Sequence, residues 1–272
     1  MKVRFWGVRG SIAVSGPRYV GTGGNTATVE VEHEGERLIL DGGTGLRALG
    51  DHIGWRPVSV HLLFSHVHWD HIQGVPFFMP AFHPGATLRL HGAARASGSL
   101  RDALGRQMRP PQFPITLDAL TAKVDCIDIP VDRPFEIGPF SIQPIDLNHP
   151  DGVLAYRITA GGRSIVYATD TEHGAALDLR LLRLAEGADL LIHDAQYTTD
   201  EYEGRGGPSR RGWGHSTWQQ AVAAAQASQV RRLALFHHDP GRDDAGVAQI
   251  EAAAQARHPG AAAAREGEVW AL

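Results

Sequence analysis

The chain has 272 residues, 43% of them hydrophobic and 21% charged, with a formal net charge of −4. It is long enough to bury a large core, its balance is that of an ordinary globular protein, and its mild acidity disfavours long nucleic acid or an anionic membrane as partner. No run approaches the ~20 apolar residues of a membrane span, the opening Met-Lys-Val-Arg is too charged for a signal peptide, and the single cysteine, Cys126, excludes an intrachain disulfide and fits a reducing cytoplasm.

In chain order, residues 3–8, 27–32 and 37–40 read as short strands, each ending at glycine or charge. Asp41-Gly-Gly-Thr-Gly45 is a tight turn into a helix near 46–49, and 58–64 is a further apolar strand. Residues 76–120 break the rhythm with prolines and read as a lid or semi-ordered arm. Its one expected helix, 99–108, stops before Pro110-Pro111. Residues 124–129 alternate as a strand, which makes Cys126 a packing residue. Strands follow at 140–147, 154–159, 164–169, 188–193 and 232–236, with helices at 177–186 and 217–228. A weak internal echo relates Arg37-Leu-Ile-Leu-Asp41 to the run from Arg163 to Asp170: in each, a strand ends in an aspartate, then come a helix and another apolar strand. Two β-rich halves of this kind pack as two sheets with helices outside. No low-complexity linker divides the chain, so one domain over 1–272 is expected.

The chemistry concentrates in Ser65-His-Val-His-Trp-Asp-His71, directly after the strand 58–64. His66 and His68 alternate with period two and can point the same way, while Asp70 and His71 face elsewhere as the chain bends. Two neighbouring metal positions follow, and imidazole with carboxylate suits zinc, manganese or iron better than calcium or magnesium. Three more strands stop at metal-capable side chains: His149 after 140–147, Asp170 after 164–169, and the pair His237 and His238 after 232–236. Together they offer a third ligand for each metal and a shared carboxylate.

The HxHxDH run with a later histidine, an aspartate and a final histidine resembles the metallo-β-lactamase superfamily. His193-Asp-Ala-Gln-Tyr197, Gly214-His-Ser-Thr217, Phe5-Trp-Gly-Val-Arg-Gly-Ser11 and Asp41-Gly-Gly-Thr-Gly45 resemble the branch that holds ribonuclease Z and small phosphodiesterases. The resemblance implies a four-layer α/β/β/α sandwich with the site at one edge between the sheets. It implies one metal on His66, His68 and His149, a second on Asp70, His71 and His237 (His238 being the alternative), and Asp170 bridging. Two divalent transition metal ions are expected, zinc first, with Mn²⁺ or Fe²⁺ as alternatives. The resemblance makes His215 a proton donor or a hydrogen bond to a substrate oxygen. Asp194 is expected to orient His215 or a ligand histidine, Asp41 to hold a ligand histidine, and Ser216 to cap the following helix.

Two cations can hold a bridging hydroxide and clamp attacking and leaving oxygens, which favours phosphodiester cleavage. Asp70 would position or deprotonate the water, and His215 would protonate the departing alkoxide. The expected substrate is a small or cyclic nucleotide-like phosphodiester; a thiolester or lactone hydrolase and a ribonuclease Z-like endoribonuclease are the alternatives. Met108 and Phe113, flanked by Arg106 and Arg109, are the expected substrate contacts of the lid. A homodimer is left open, and His33, His52, His61, His83, His91, His173, His193 and His258 are assigned no role.

Overall fold

Short alternating runs bounded by glycine and turn residues assemble, in a computed structural model describing residues 1–272, into two seven-stranded sheets. The first holds β1 (Lys2–Gly7), β2 (Thr28–His33), β3 (Glu36–Leu40), β4 (Ser59–Leu63), β5 (Thr87–Gly92) and β6 (Lys123–Asp128). The second holds β7 (Phe135–Ile137), β8 (Phe140–Leu147), β9 (Val153–Ala160), β10 (Arg163–Ala168), β11 (Leu190–Asp194), β12 (Arg232–Phe236) and β13 (Ala261–Ala263). The last strand, β14 (Val269–Ala271), returns to pair with β1. The helices are α1 (Gly45–Ile53), α2 (Trp69–Ile72), α3 (Leu100–Gln107), α4 (Leu179–Ala185), α5 (Thr199–Glu203), α6 (Trp218–Ala227) and α7 (Asp244–Gln255).

Period-two alternation sorts the strand residues into layers. In β10, Ile165 and Tyr167 face the other sheet, while Val166 and Ala168 face α4 and α6. In β3, Leu38 and Leu40 join that central core, while Ile39 packs beneath α1 and α3. The central core therefore draws on both sheets, with Val3, Phe5, Val29 and Val31 meeting Phe140, Tyr156, Ile158 and Phe236. Each sheet buries its other face under helices, so the layers run α/β/β/α as expected. No helix is long and apolar enough to cross a membrane.

The internal echo is a topological repeat. β1, β2 and β3 form an antiparallel meander, after which β4, β5 and β6 add in parallel. β8, β9 and β10 repeat the meander, and β11, β12 and β13 repeat the parallel additions. Asp41 and Asp170 sit at matching places, just past the third meander strand and before a crossover helix. Both adopt a left-handed backbone, with φ of 58° and 50°, which aspartate tolerates better than most residues.

The segment 76–120 differs from the expected arm. It supplies β5, an interior strand between β4 and β6, and α3, which opens on a Ser99–Asp102 capping box. Leu88 and Leu90 anchor β5, and Leu100, Leu104 and Met108 pin α3 onto the sheet. The flanking prolines hid β5 from pattern reading. Met108 is fully buried in this core and has no surface to offer a substrate, while Phe113 is half-buried edge-on to Phe77. The lid reading of Met108 is thereby corrected. β7, β13, β14 and α7 were also not anticipated, being very short strands and an alanine-rich helix of weak amphipathicity.

Candidate metal centre

The strand ends bring the expected side chains together at one edge of the sandwich. His66 and His68 follow β4, and α2 then turns Asp70 and His71 inward. His149 lies just past β8, Asp170 past β10 and His237 past β12. His66, His68 and His149 form one group of convergent donor atoms, and Asp70, His71, Asp170 and His237 form another. His237 shares the left-handed backbone of Asp41 and Asp170, with φ of 59°, and this bend aims its ring into the site. His238 points away and donates Nε2–H to the carbonyl of Ala264 at 3.1 Å, so His237 is the residue that joins the cluster.

Asp170 lies between the groups. Its Oδ1 is 3.3 Å from His71 Nε2 and 3.2 Å from His237 Nε2, and its Oδ2 is 3.7 Å from His66 Nε2. Asp70 Oδ2 is 3.2 Å from His71 Nε2 and 3.1 Å from His237 Nε2. His68 Nδ1 and His149 Nε2 approach to 3.0 Å. A cation bound at about 2.0–2.1 Å in tetrahedral geometry holds its ligands roughly 3.3 Å apart, close to these separations. The Nε2 atoms of His66 and His71 are buried with no hydrogen-bond partner, a costly state unless a cation engages them. The donor set therefore fits divalent metal ions.

Outer contacts set the tautomers. His71 Nδ1–H donates to Asp41 at 2.8 Å, His149 Nδ1–H to the Gly214 carbonyl at 2.8 Å and His237 Nδ1–H to Gln196 Oε1 at 2.8 Å. Each leaves Nε2 as the lone-pair donor facing inward. Two glycines allow this closeness: a Cβ on Gly10 would lie 2.3 Å from His237 Nδ1, and one on Gly214 2.2 Å from His149 Nδ1. Asp41 accepts in addition from the Ser65 amide and hydroxyl and the Tyr167 phenol.

Burial lowers the proton affinity of His66, His68 and His149, which keeps them neutral as ligation requires. His71 goes the other way: burial opposes its charge, but Asp170, Asp70 and Asp41 outweigh it and raise the ring well above its usual range. Burial also opposes ionisation of Asp70, yet His71 and His237 hold its carboxyl well below the usual carboxylate range. A carboxylate so stabilised is a poor base and a good ligand, so Asp70 is better suited to positioning than to proton abstraction.

His215 stands beside the cluster with Nδ1–H donated to Asp194 at 2.9 Å, which leaves Nε2 open to a substrate. Burial works against its cationic form, but Asp194, then Asp170 and Asp70, prevail and push it up to about 9. The helix after it is capped by Thr217, in a box with Gln220, and not by Ser216, whose hydroxyl donates to the Thr171 carbonyl.

Sequence reading gave no role to Gln196 or Glu172. Gln196 fixes the His237 tautomer and accepts its own place from Asp194, whose Oδ1 takes its amide at 3.0 Å. The buried Glu172 carboxylate accepts from Tyr202 Oη, Gly212 N and Gly214 N at 2.5, 2.8 and 2.9 Å. It ties the loop that carries the His149 acceptor to the chain just past Asp170. The signal was position: each lies two residues beyond an acidic strand end.

Residues 36–238 match the family described as the Beta-lactamase superfamily domain. Similar curated proteins include a ribonuclease Z of Haloferax volcanii, 26% identical over 80% of this chain and 83% of that protein. An uncharacterized protein of Mycobacterium leprae is 33% identical over 75% of this chain and 67% of its own length. Among solved structures, the metallo-beta-lactamase fold protein YhfI from Bacillus subtilis superposes with a TM-score of 0.76 at 21% identity, covering 99% of this chain and 98% of that one. With the family matched over three-quarters of its length and the sandwich and its convergent histidines in place, the chain belongs to the beta-lactamase superfamily of metal-dependent hydrolases.

Proposed function

We propose that the protein is a dinuclear metal-dependent phosphodiesterase acting on small or cyclic nucleotide-like substrates. The observation that carries this reading is Asp170 lying between two groups of inward-facing donors, with the free Nε2 of an Asp194-held His215 beside them. His66, His68 and His149 would hold one cation, Asp70, His71 and His237 the other, and Asp170 both. Zinc is the first expectation for this imidazole and carboxylate set, with Mn²⁺ or Fe²⁺ as alternatives. Bound there, two such ions supply Lewis acidity toward the phosphoryl oxygens and an acidified water.

The chain's own residues do the rest. His215 holds a proton on Nε2 and delivers it to the leaving alkoxide as the P–O bond breaks, while Asp194 steadies the imidazolium through Nδ1. Asp70 stays ionised and is held by the Ser11 amide at 2.8 Å, so it keeps its orientation through the reaction. Asp41, Gln196 and the Gly214 carbonyl lock the histidine rings, which limits reorganisation during turnover.

A second reading, a ribonuclease Z-like endoribonuclease, is favoured by the name of the Haloferax volcanii relative. The net charge of −4 and the packing of much of segment 76–120 onto the sheet through Leu88, Leu90, Leu100, Leu104 and Met108 favour the smaller substrate. The test is a panel on zinc- or manganese-reconstituted protein: bis-p-nitrophenyl phosphate, cyclic nucleotides, a precursor transfer RNA, a lactone and a thiolester. Turnover of the first two, at least tenfold above the others in kcat/KM, is expected. Preference for the lactone or thiolester would overturn the phosphodiester reading, and preference for the transfer RNA would replace it with the second.

A further inference from the structure

Two cavities adjoin at Val67, next to His68 in the chain. The smaller, about 50 Å³, is walled by His66, His68 and Ser97 among others. The larger, about 560 Å³, is walled by Val67, Trp69, Arg106, Gln73, Gln107 and Gln112 along one rim of α3. Val67 belongs to both walls. Arg106 joins them too, since its guanidinium donates to the Ser97 carbonyl at 3.0 Å. The larger cavity thus adjoins the smaller one, which His66 and His68 line, and its volume is in the usual range for small-ligand sites.

Its chemistry is selective. Trp69, held between His68 and Asp70, leaves 74% of its surface exposed, the most of any tryptophan in the chain. Arg106 is the only charged residue of the wall, and Asp102, one turn earlier on α3 and outside the wall, is the carboxylate it helps to hold ionised. The Gln107 amide is anchored on the Ile72 carbonyl at 2.9 Å, while Gln73 and Gln112 are exposed. A flat aromatic face, two exposed amides and a single cation in the wall match an anionic ligand with a planar body and a hydrogen-bonding edge.

We propose that this cavity is a nucleobase subsite: Trp69 stacks on the base of a nucleotide, Gln73 and Gln112 meet the base edge, and Arg106 faces the phosphate side. Base stacking on an aromatic side chain tolerates any base, while side-chain amides pair best with adenine edges. The subsite rests on the phosphodiesterase reading for the position of the phosphate, beside His68. It also assigns to Trp69 and α3 the substrate contact that Met108, buried in the core, cannot make.

The test is calorimetric binding of AMP and, separately, inorganic phosphate to the zinc-reconstituted protein, with metal content measured on every variant. Wild type should bind AMP at least tenfold more tightly than phosphate. Trp69→Ala should weaken AMP by roughly 5- to 100-fold and phosphate by less than twofold, and Trp69→Phe should restore most of the loss. Ala103→Trp, which fills the cavity from α3 without touching a ligand residue, should block AMP and spare phosphate. Equal affinities for AMP and phosphate in wild type, or AMP binding unaffected by Ala103→Trp, would overturn the subsite. The two readings fail separately. Loss of AMP selectivity in Ala103→Trp with no phosphodiester turnover sinks only the phosphodiesterase reading; turnover of bis-p-nitrophenyl phosphate with AMP indifferent to both positions sinks only the subsite.

Discussion

The phenol of Tyr167, on the second sheet, donates to the carboxylate of Asp41, at the end of a strand in the first, at 2.7 Å. Both groups are fully buried, and the same carboxylate oxygen accepts Nδ1–H from His71. Two hydrogen bonds meeting on Asp41 thus link the second sheet to His71 in the cluster. Tyr167→Phe should cost about 1–2 kcal/mol of stability and leave the fold intact by circular dichroism. Asp41→Asn should weaken metal binding by roughly 10- to 100-fold, because His71 loses its charged acceptor. Unchanged metal affinity in Asp41→Asn, measured by competition with a chelating dye, would show that the contact serves packing alone.

Asp170 lies between the two donor groups, with Oδ1 toward His71 and His237 and Oδ2 toward His66. Asp170→Ala should lower bound metal from two equivalents to one or fewer by elemental analysis, and reduce activity at least 10²-fold, the low end for loss of a metal-assisted step. Two equivalents and full activity in this variant would remove the shared-ligand assignment.

His215 separates leaving-group assistance from metal holding. His215→Ala should retain both metals and lose roughly 10²–10⁴-fold on a substrate with a poor alkoxide leaving group. On p-nitrophenolate esters the loss should be far smaller, since little protonation is needed. An equal loss on both would make His215 a substrate-positioning group, and loss of a metal would make it a ligand.

Glu172 is expected to act through the loop it holds. Glu172→Ala should accelerate hydrogen exchange at the Gly212 and Gly214 amides and weaken the metal held with His149 about tenfold. Glu172→Gln, which replaces one acceptor with a donor facing an N–H, should fall between. Exchange rates unchanged in both variants would mean that the loop is held by its other contacts.

The pH dependence of the metal-free protein follows from buried histidines of opposite kinds. His238, buried and repelled by Arg9, and His173, buried beside His193, are pushed down to about 3. A lowered folded value means stability that is present above the unfolded value of about 6.5 and is lost as pH falls from there toward 3. With two such groups the loss approaches about 3 kcal/mol per pH unit between pH 6 and 4. His215, raised to about 9, contributes stability that is full below its unfolded value and is lost as pH rises through 9. Urea denaturation from pH 4 to 9 should therefore peak near neutrality. His238→Gln, which keeps a donor for the Ala264 carbonyl, should flatten the acid limb by about one proton. An unaltered acid limb would place the lost protons elsewhere.

Much of the architecture was legible because it is written in local period. Alternation located β8 at 140–147 and β12 at 232–236 to the residue, while the matching ends at Asp41 and Asp170 marked two similar halves only weakly and left their meanders unread. The ligand types were equally local: HxHxDH places donors on both sides of a strand end whatever surrounds them. Spacing alone could not choose between His237 and His238, which are adjacent and both buried. The left-handed turn at His237 decided it, by sending one ring into the cluster and the other toward Ala264. Nor could it place Met108 under α3, Glu172 beneath a loop forty residues away, or Trp69 at the rim of a cavity. Those facts depend on which surfaces meet when the sheets stack. Residue order determines the period and the chemistry of each segment; only the packed structure determines which donors converge, which side chains are sealed from solvent and which remain open to it.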